Sequence, residues 1–152
     1  MKQTIENLGE IVDTFTPKLY SIDEKIFAAK PRPEKWSRKE ILGHLIDSAQ
    51  TNTRRFVVGQ YEDVPKIVYK QDDWVAIAGY QNYPTKDLIE FWAFSNKHIC
   101  MILAHTSAEA AQRKCATNDP EHHTIEWLAE DYVKHLLHHL HQVLDLEPVA
   151  YP

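Results

Sequence analysis

The sequence predicts an all-α fold, a four-helix bundle with one long crossover connection, and three observations carry that reading. Apolar residues recur at three- and four-residue steps over four long segments, the chain holds only four glycines, and the two-residue alternation that a sheet requires never persists beyond a few residues. The first segment, residues 2–28, carries Ile5, Leu8, Val12, Phe15, Leu19, Ile22 and Ile26 on one helical face. Pro31 and Pro33 then stop it, because a proline ring blocks helix continuation. The second helix is predicted to begin at Ser37, since Ser37-Arg38-Lys39-Glu40 is a capping box, and to run to about Gly59. The third opens after Pro84 with a threonine cap at Thr85 and runs to about His105, with Leu88, Phe91, Trp92, Ser95, Ile99, Ile102 and Leu103 on one side. The fourth spans roughly Thr124 to Asp145.

A connector of about 25 residues separates the second and third helices, which is long for a compact domain. It contains Tyr61, Tyr69, Trp74, Tyr80 and Tyr83, and aromatic side chains at that density favour burial. A short helical piece near Asp72 to Ala78 is therefore expected to pack across one end of the bundle, where it can roof a site. A connector of this length can also return along the bundle, so that the second and third helices run parallel.

With 152 residues the chain fits one domain, 1–152, able to bury a single core. Its 17 Lys and Arg against 22 Asp and Glu give a net charge of -5, which offers no footprint for a nucleic-acid backbone. The N-terminal stretch lacks the apolar core of a signal peptide, and no segment approaches the roughly 20 apolar residues that span a bilayer. A cytoplasmic protein with no membrane partner is the expectation. Cys100 and Cys115 are too few for a disulfide framework, which fits a reducing compartment, and Cys100, in the run Ile99-Cys100-Met101-Ile102-Leu103, reads as a buried structural thiol. Exposed helix faces and the aromatic connector suit a two-fold homodimer.

Nine histidines occur in the chain, and four of them crowd the last helix in His135-Leu136-Leu137-His138-His139-Leu140-His141. Their spacing sorts them: His135 and His139, four apart, project from one helical face with Cβ atoms about 6 Å apart, as two imidazoles sharing one metal need. They share a stripe with Ile125, Leu128, Tyr132, Leu136 and Val143, so they point inward, whereas His138 and His141 take other directions. His44 lies one turn beyond Ile41 at the edge of an apolar face. Taken alone, it reads more readily as a satisfied core histidine than as a third ligand.

Two separated stretches resemble a known family. Trp36-Ser37-Arg38-Lys39-Glu40-Ile41-Leu42-Gly43-His44-Leu45-Ile46-Asp47-Ser48, followed by Asn52 and Arg55-Phe56, looks like the second-helix motif of the DinB superfamily, especially its YfiT-like branch. Tyr132-Val133-Lys134-His135-Leu136-Leu137-His138-His139-Leu140-His141-Gln142 looks like its fourth-helix motif, and Pro65 to Trp74 resembles the same branch more weakly. The resemblance implies a four-helix bundle of up-down-down-up order whose metal site takes one histidine from the second helix and two from the fourth, here His44, His135 and His139. It further implies a metal-dependent enzyme acting on a small molecule. The superfamily includes S-transferases that use bacillithiol, mycothiol or glutathione and a mycothiol-dependent maleylpyruvate isomerase, while many members have no assigned reaction. No thiol-binding residue of the family maps onto this sequence.

Three neutral imidazoles suit Zn²⁺ or Ni²⁺ and leave a coordination position for water, a low-molecular-weight thiol or substrate. A transferase and a hydrolase are both served by that arrangement, and a non-catalytic helical module with the metal as a closed staple is the alternative. Asp131, four residues before His135, is a candidate base or orienting group, against a solvent-facing helix acid. Asp47, three residues after His44, has the same claim, against pairing with Arg54 or Lys134. Gln142 is a candidate to bond a ligand in the pocket, against the more common solvated glutamine at a bundle edge, and Arg55, about 16 Å from His44 along the helix, is too far to touch the metal and suits a remote end of a substrate.

Overall fold

The computed structural model describes residues 1–151. Helix α1 spans Lys2–Tyr20, α2 Glu24–Ala28, α3 Arg38–Val58, α4 Gln71–Ala78, α5 Thr85–His105, α6 Ala108–Ala111 and α7 Ile125–Leu144, with strands β1 (Lys114–Ala116) and β2 (His122–Thr124) between the last two helices. The four long helices α1, α3, α5 and α7 form the bundle: α5 packs against α1 and α3 on one side, and α7 against the same two on the other.

Contacts at the helix ends give the directions. The Met1 ammonium meets Glu126 at 2.8 Å, so α1 and α7 start at the same end. Tyr20, closing α1, reaches Glu90 near the start of α5, and Cys100 late in α5 faces the Ile5 carbonyl, so α5 runs against α1. Gln60, just past α3, bonds Thr106, just past α5, so those two helices are parallel. The order is up-down-down-up, with the residue 59–84 connector as the crossover.

The capping box forms as the sequence predicts: the Ser37 hydroxyl accepts from the Glu40 amide at 3.1 Å and the Glu40 carboxylate accepts from the Ser37 amide at 2.8 Å. Thr124 likewise caps α7 through the Trp127 amide. The short helix in the connector runs from Gln71 to Ala78 and ends at Gly79, whose φ of +65° is open to glycine without strain.

Three expectations need correction. The first segment is two helices, because Ser21 turns its hydroxyl onto the Lys18 carbonyl and Asp23 caps α2 through the Lys25 amide, so polar side chains end α1 eight residues early. Ile26 is consequently exposed. Thr85 is not a cap; it is the first residue of α5, and its hydroxyl donates to Glu24 instead. On α5, Phe91 faces outward and Asn96 inward, where Asn96 accepts the Tyr132 hydroxyl at 2.6 Å. The chain also carries a two-stranded antiparallel sheet, pairing Cys115 with His123, whose three-residue strands are too short to show a period. That sheet holds the crossover in place: Ile67 donates to Ala116, and Ala116 donates to Pro65. Among the described residues no helix is long and apolar enough to cross a membrane.

Candidate metal centre

Because Ser37 fixes the start of α3, His44 falls on its second turn between Leu42, Leu45 and Ile46, all of which are fully buried. His44 is itself 1% exposed and faces α7. There His135 and His139, one turn apart, present their rings to it. The His44 and His135 Nε2 atoms are 3.1 Å apart, the His44 and His139 ring centres 5.0 Å, and one ring nitrogen from each of the three lies within 4.8 Å of the others. This is a donor set that can hold a metal ion. The Trp36 ring lies over His44 with centres 5.2 Å apart.

Burial holds these imidazoles neutral, as metal ligation requires. It pushes the His44 pKa down to about 4, with nearby His139 adding to the effect, and the His135 pKa down to about 2, with His139, His44 and His138 adding to it; His139 is lowered as well. A histidine whose folded pKa lies below its unfolded value favours the unfolded chain on acidification. Asp47 acts in the opposite sense, since burial raises its pKa to about 6 despite a hydrogen bond from Tyr80. His44 and His135, with His139 acting in the same direction, outweigh one aspartate between pH 6.5 and 4. Metal-free protein is therefore expected to lose stability as pH falls through that window, by up to about 1.4 kcal/mol per pH unit for each net group. Thermal melts at stepped pH check this: His135→Gln should flatten the profile, and an unchanged melting temperature from pH 7 to 5 in the wild type would refute it.

A hydrogen-bond chain sets the tautomer of one of these rings. His139 Nδ1–H donates to Gln142 Oε1 at 2.8 Å, which leaves Nε2 as the bare donor to an ion; Gln142 Nε2 in turn donates to His138 Nε2 at 2.8 Å, and His138 Nδ1–H donates to the Val149 carbonyl at 2.6 Å. Gln142 thus orients a histidine, and His138, which spacing alone excludes as a ligand, braces Gln142. Among the described residues His141 bonds only the Glu147 carbonyl. A graded result follows for metal affinity measured by chelator competition. Gln142→Ala should weaken binding roughly tenfold, His138→Ala by less, and His141→Ala not at all. Equal losses in all three would mean a general loosening of the helix end.

Asp47 is buried and accepts the Tyr80 hydroxyl, not Arg54 or Lys134. Among the described residues its Oδ2 has no partner, and neither does His44 Nδ1 one turn before it. Tyr80 comes this close because Gly43 has no side chain: a Cβ there would stand 2.1 Å from the ring. Asp131 accepts the Tyr151 hydroxyl at 3.0 and 3.1 Å and makes no hydrogen bond to His135. Two cavities flank the histidines. A groove of about 590 Å³ runs between Trp36, Ile41 and Gln142, with Gln71 and Asp72 of α4 on its rim. A smaller cavity, about 120 Å³, has His135 in its wall. Trp36, Tyr80 and Tyr151 are the residues whose part the sequence did not disclose.

A crossover bundle with inward histidines on its second and fourth long helices defines a class of helical proteins with a site able to take a metal. The chain belongs to the DinB superfamily, whose family model matches residues 6–143. Among solved structures it is similar to YfiT from Bacillus subtilis, described as "a probable metal-dependent hydrolase with an unusual four-helix bundle topology". That likeness has a TM-score of 0.84 at 19% identity, over 95% of this chain and 83% of that one. It is also similar to the mycothiol-dependent maleylpyruvate isomerase, with a TM-score of 0.73 at 15% identity over 98% of this chain; it spans 61% of the isomerase's length. At these identities the likenesses speak for the fold. No curated protein sequence matches the chain.

Proposed function

We propose that His44, His135 and His139 bind one divalent cation, zinc or nickel, and that the protein is a metal-dependent enzyme acting on a small molecule, as a thiol S-transferase or a hydrolase. One observation carries the reading: three neutral ring nitrogens converge beside a cavity, and the cluster has no fourth His, Cys, Asp or Glu among the described residues. A closed structural site takes four protein ligands, whereas three leave a place for a reactant. A cation held this way acts as a Lewis acid and lowers the pKa of a coordinated water or thiol.

The chain's own residues would then do the positioning. Gln142 holds His139 in the productive tautomer and Trp36 covers one face of His44, while Asp47 Oδ2 and His44 Nδ1, one turn apart on α3, each lack a hydrogen-bond partner among the described residues. The hydrolase description of YfiT and the mycothiol dependence of the isomerase support the two reaction classes. Assays of metal-loaded protein on an ester and amide panel, and on electrophiles with several low-molecular-weight thiols, separate them. Turnover no greater than that of His135→Ala and His139→Ala across both panels would remove the enzyme reading.

The staple alternative keeps one supporting fact, that the cation would tie α3 to α7. It requires a strong rise in melting temperature on metal binding and no response to added ligands. A homodimer is proposed through the exposed stripe Phe91, Phe94 and Met101 of α5, and a 17.7 kDa species alone in sedimentation at high concentration would dispose of it.

A further inference from the structure

We infer that the polar cavity beside His135 recognises an α-amino-acid group, with Arg55 taking its carboxylate and Asp131 its ammonium, so that the substituent on Cα is presented to the three histidines. The cavity is lined by Ser48, Asn52, Arg55, Tyr69, Asp131 and Tyr151, with His135 in its wall. Arg55, Asp131 and Tyr151 also line a wider opening of about 350 Å³ near Asn118 and His123, so the site is reached from outside.

Arg55 spends Nε–H and one Nη2 hydrogen on the Ile67 carbonyl, at 3.2 and 2.9 Å, and one Nη1 hydrogen on Asn52 at 3.3 Å. A guanidinium has five such donors, so two are uncommitted. It forms no ion pair among the described residues, although it is largely withdrawn from water. Among the described residues Asp131 accepts only the Tyr151 hydroxyl, so each carboxylate oxygen keeps acceptor capacity.

A cation and an anion thus face one cavity without pairing with each other. A purely anionic ligand would meet Asp131 and a purely cationic one would meet Arg55, whereas adjacent ammonium and carboxylate groups satisfy both. Asp131 and His135 are four residues apart on α7, about 6 Å along the axis, which a short side chain on the bound amino acid spans. Bracing accounts for the bonds of Arg55 to Ile67 and Asn52, and anchoring Tyr151 for those of Asp131, but neither role uses the two spare guanidinium donors and the spare carboxylate acceptor positions beside the cavity.

This subsite rests on the metal reading only for what it delivers to the histidines, and the test keeps the two apart. Binding of S-methyl-L-cysteine, its N-acetyl derivative and its methyl ester is measured by calorimetry on zinc-loaded and metal-free protein. The free amino acid is expected to bind both forms, with each blocked derivative roughly tenfold or more weaker. Asp131→Asn should erase discrimination against the N-acetyl compound alone, and Arg55→Lys discrimination against the ester alone; circular dichroism confirms that both variants are folded. If zinc binds at the histidines and none of the three compounds binds, or all bind equally, the subsite is overturned while the metal reading stands. If discrimination is seen but zinc uptake ignores the histidine substitutions, the metal reading falls and the subsite stands.

Discussion

Replacing His44, His135 or His139 by alanine is expected to abolish metal uptake. Protein purified without a metal-affinity tag, loaded and dialysed, should carry about one equivalent of cation in the wild type and close to none in each variant, because two imidazoles hold a divalent ion far less well than three. His141→Ala removes an equally basic ring from the same helix, but one that bonds the Glu147 carbonyl away from the cluster, and it should keep the metal. Elemental analysis reads the contrast directly. If His141 proves necessary and His44 dispensable, the cluster is not the site.

The second large effect concerns Gly43. A Cβ at this position would meet the Tyr80 ring at 2.1 Å, so Gly43→Ala must push the ring away and take from the buried Asp47 its only hydrogen-bond donor. Overpacking typically costs about 1–3 kcal/mol and a buried carboxylate left without a donor a similar amount, against a gain of about 1 kcal/mol from alanine's helix propensity. A net loss of about 3 kcal/mol is expected from urea denaturation. Gly9→Ala is the control: it lies in α1 with nothing within 4 Å of its Cβ, so the propensity gain alone should appear. Two equally benign substitutions would mean that Tyr80 does not sit against α3 as described.

Most of the bundle was legible because its signals are local. The box from Ser37 to Glu40 and the three- and four-residue apolar steps each act within one or two turns, and both appear in the structure. The inward direction of His135 and His139 was legible for the same reason, since their stripe includes the buried Tyr132, Leu136 and Val143. What could not be read depends on distant partners. Asp47 bonds Tyr80, 33 residues away, and Asp131 bonds Tyr151, so neither partner is visible from helix spacing. Ser21 and Asp23 ended α1 early even though the apolar pattern continued through Ile22 and Ile26. Periodicity records which face can be buried, and local polar bonds decide whether the helix continues.

The central claim is that three imidazoles hold one cation and leave a position free. X-ray absorption on the zinc-loaded protein, recorded with and without an added small thiol, tests it most directly. Three imidazole nitrogens at about 2.0–2.1 Å with one further oxygen ligand are expected, and replacement of that oxygen by sulfur at about 2.3 Å when the thiol is added. A shell of four protein ligands that the thiol leaves unchanged would contradict it.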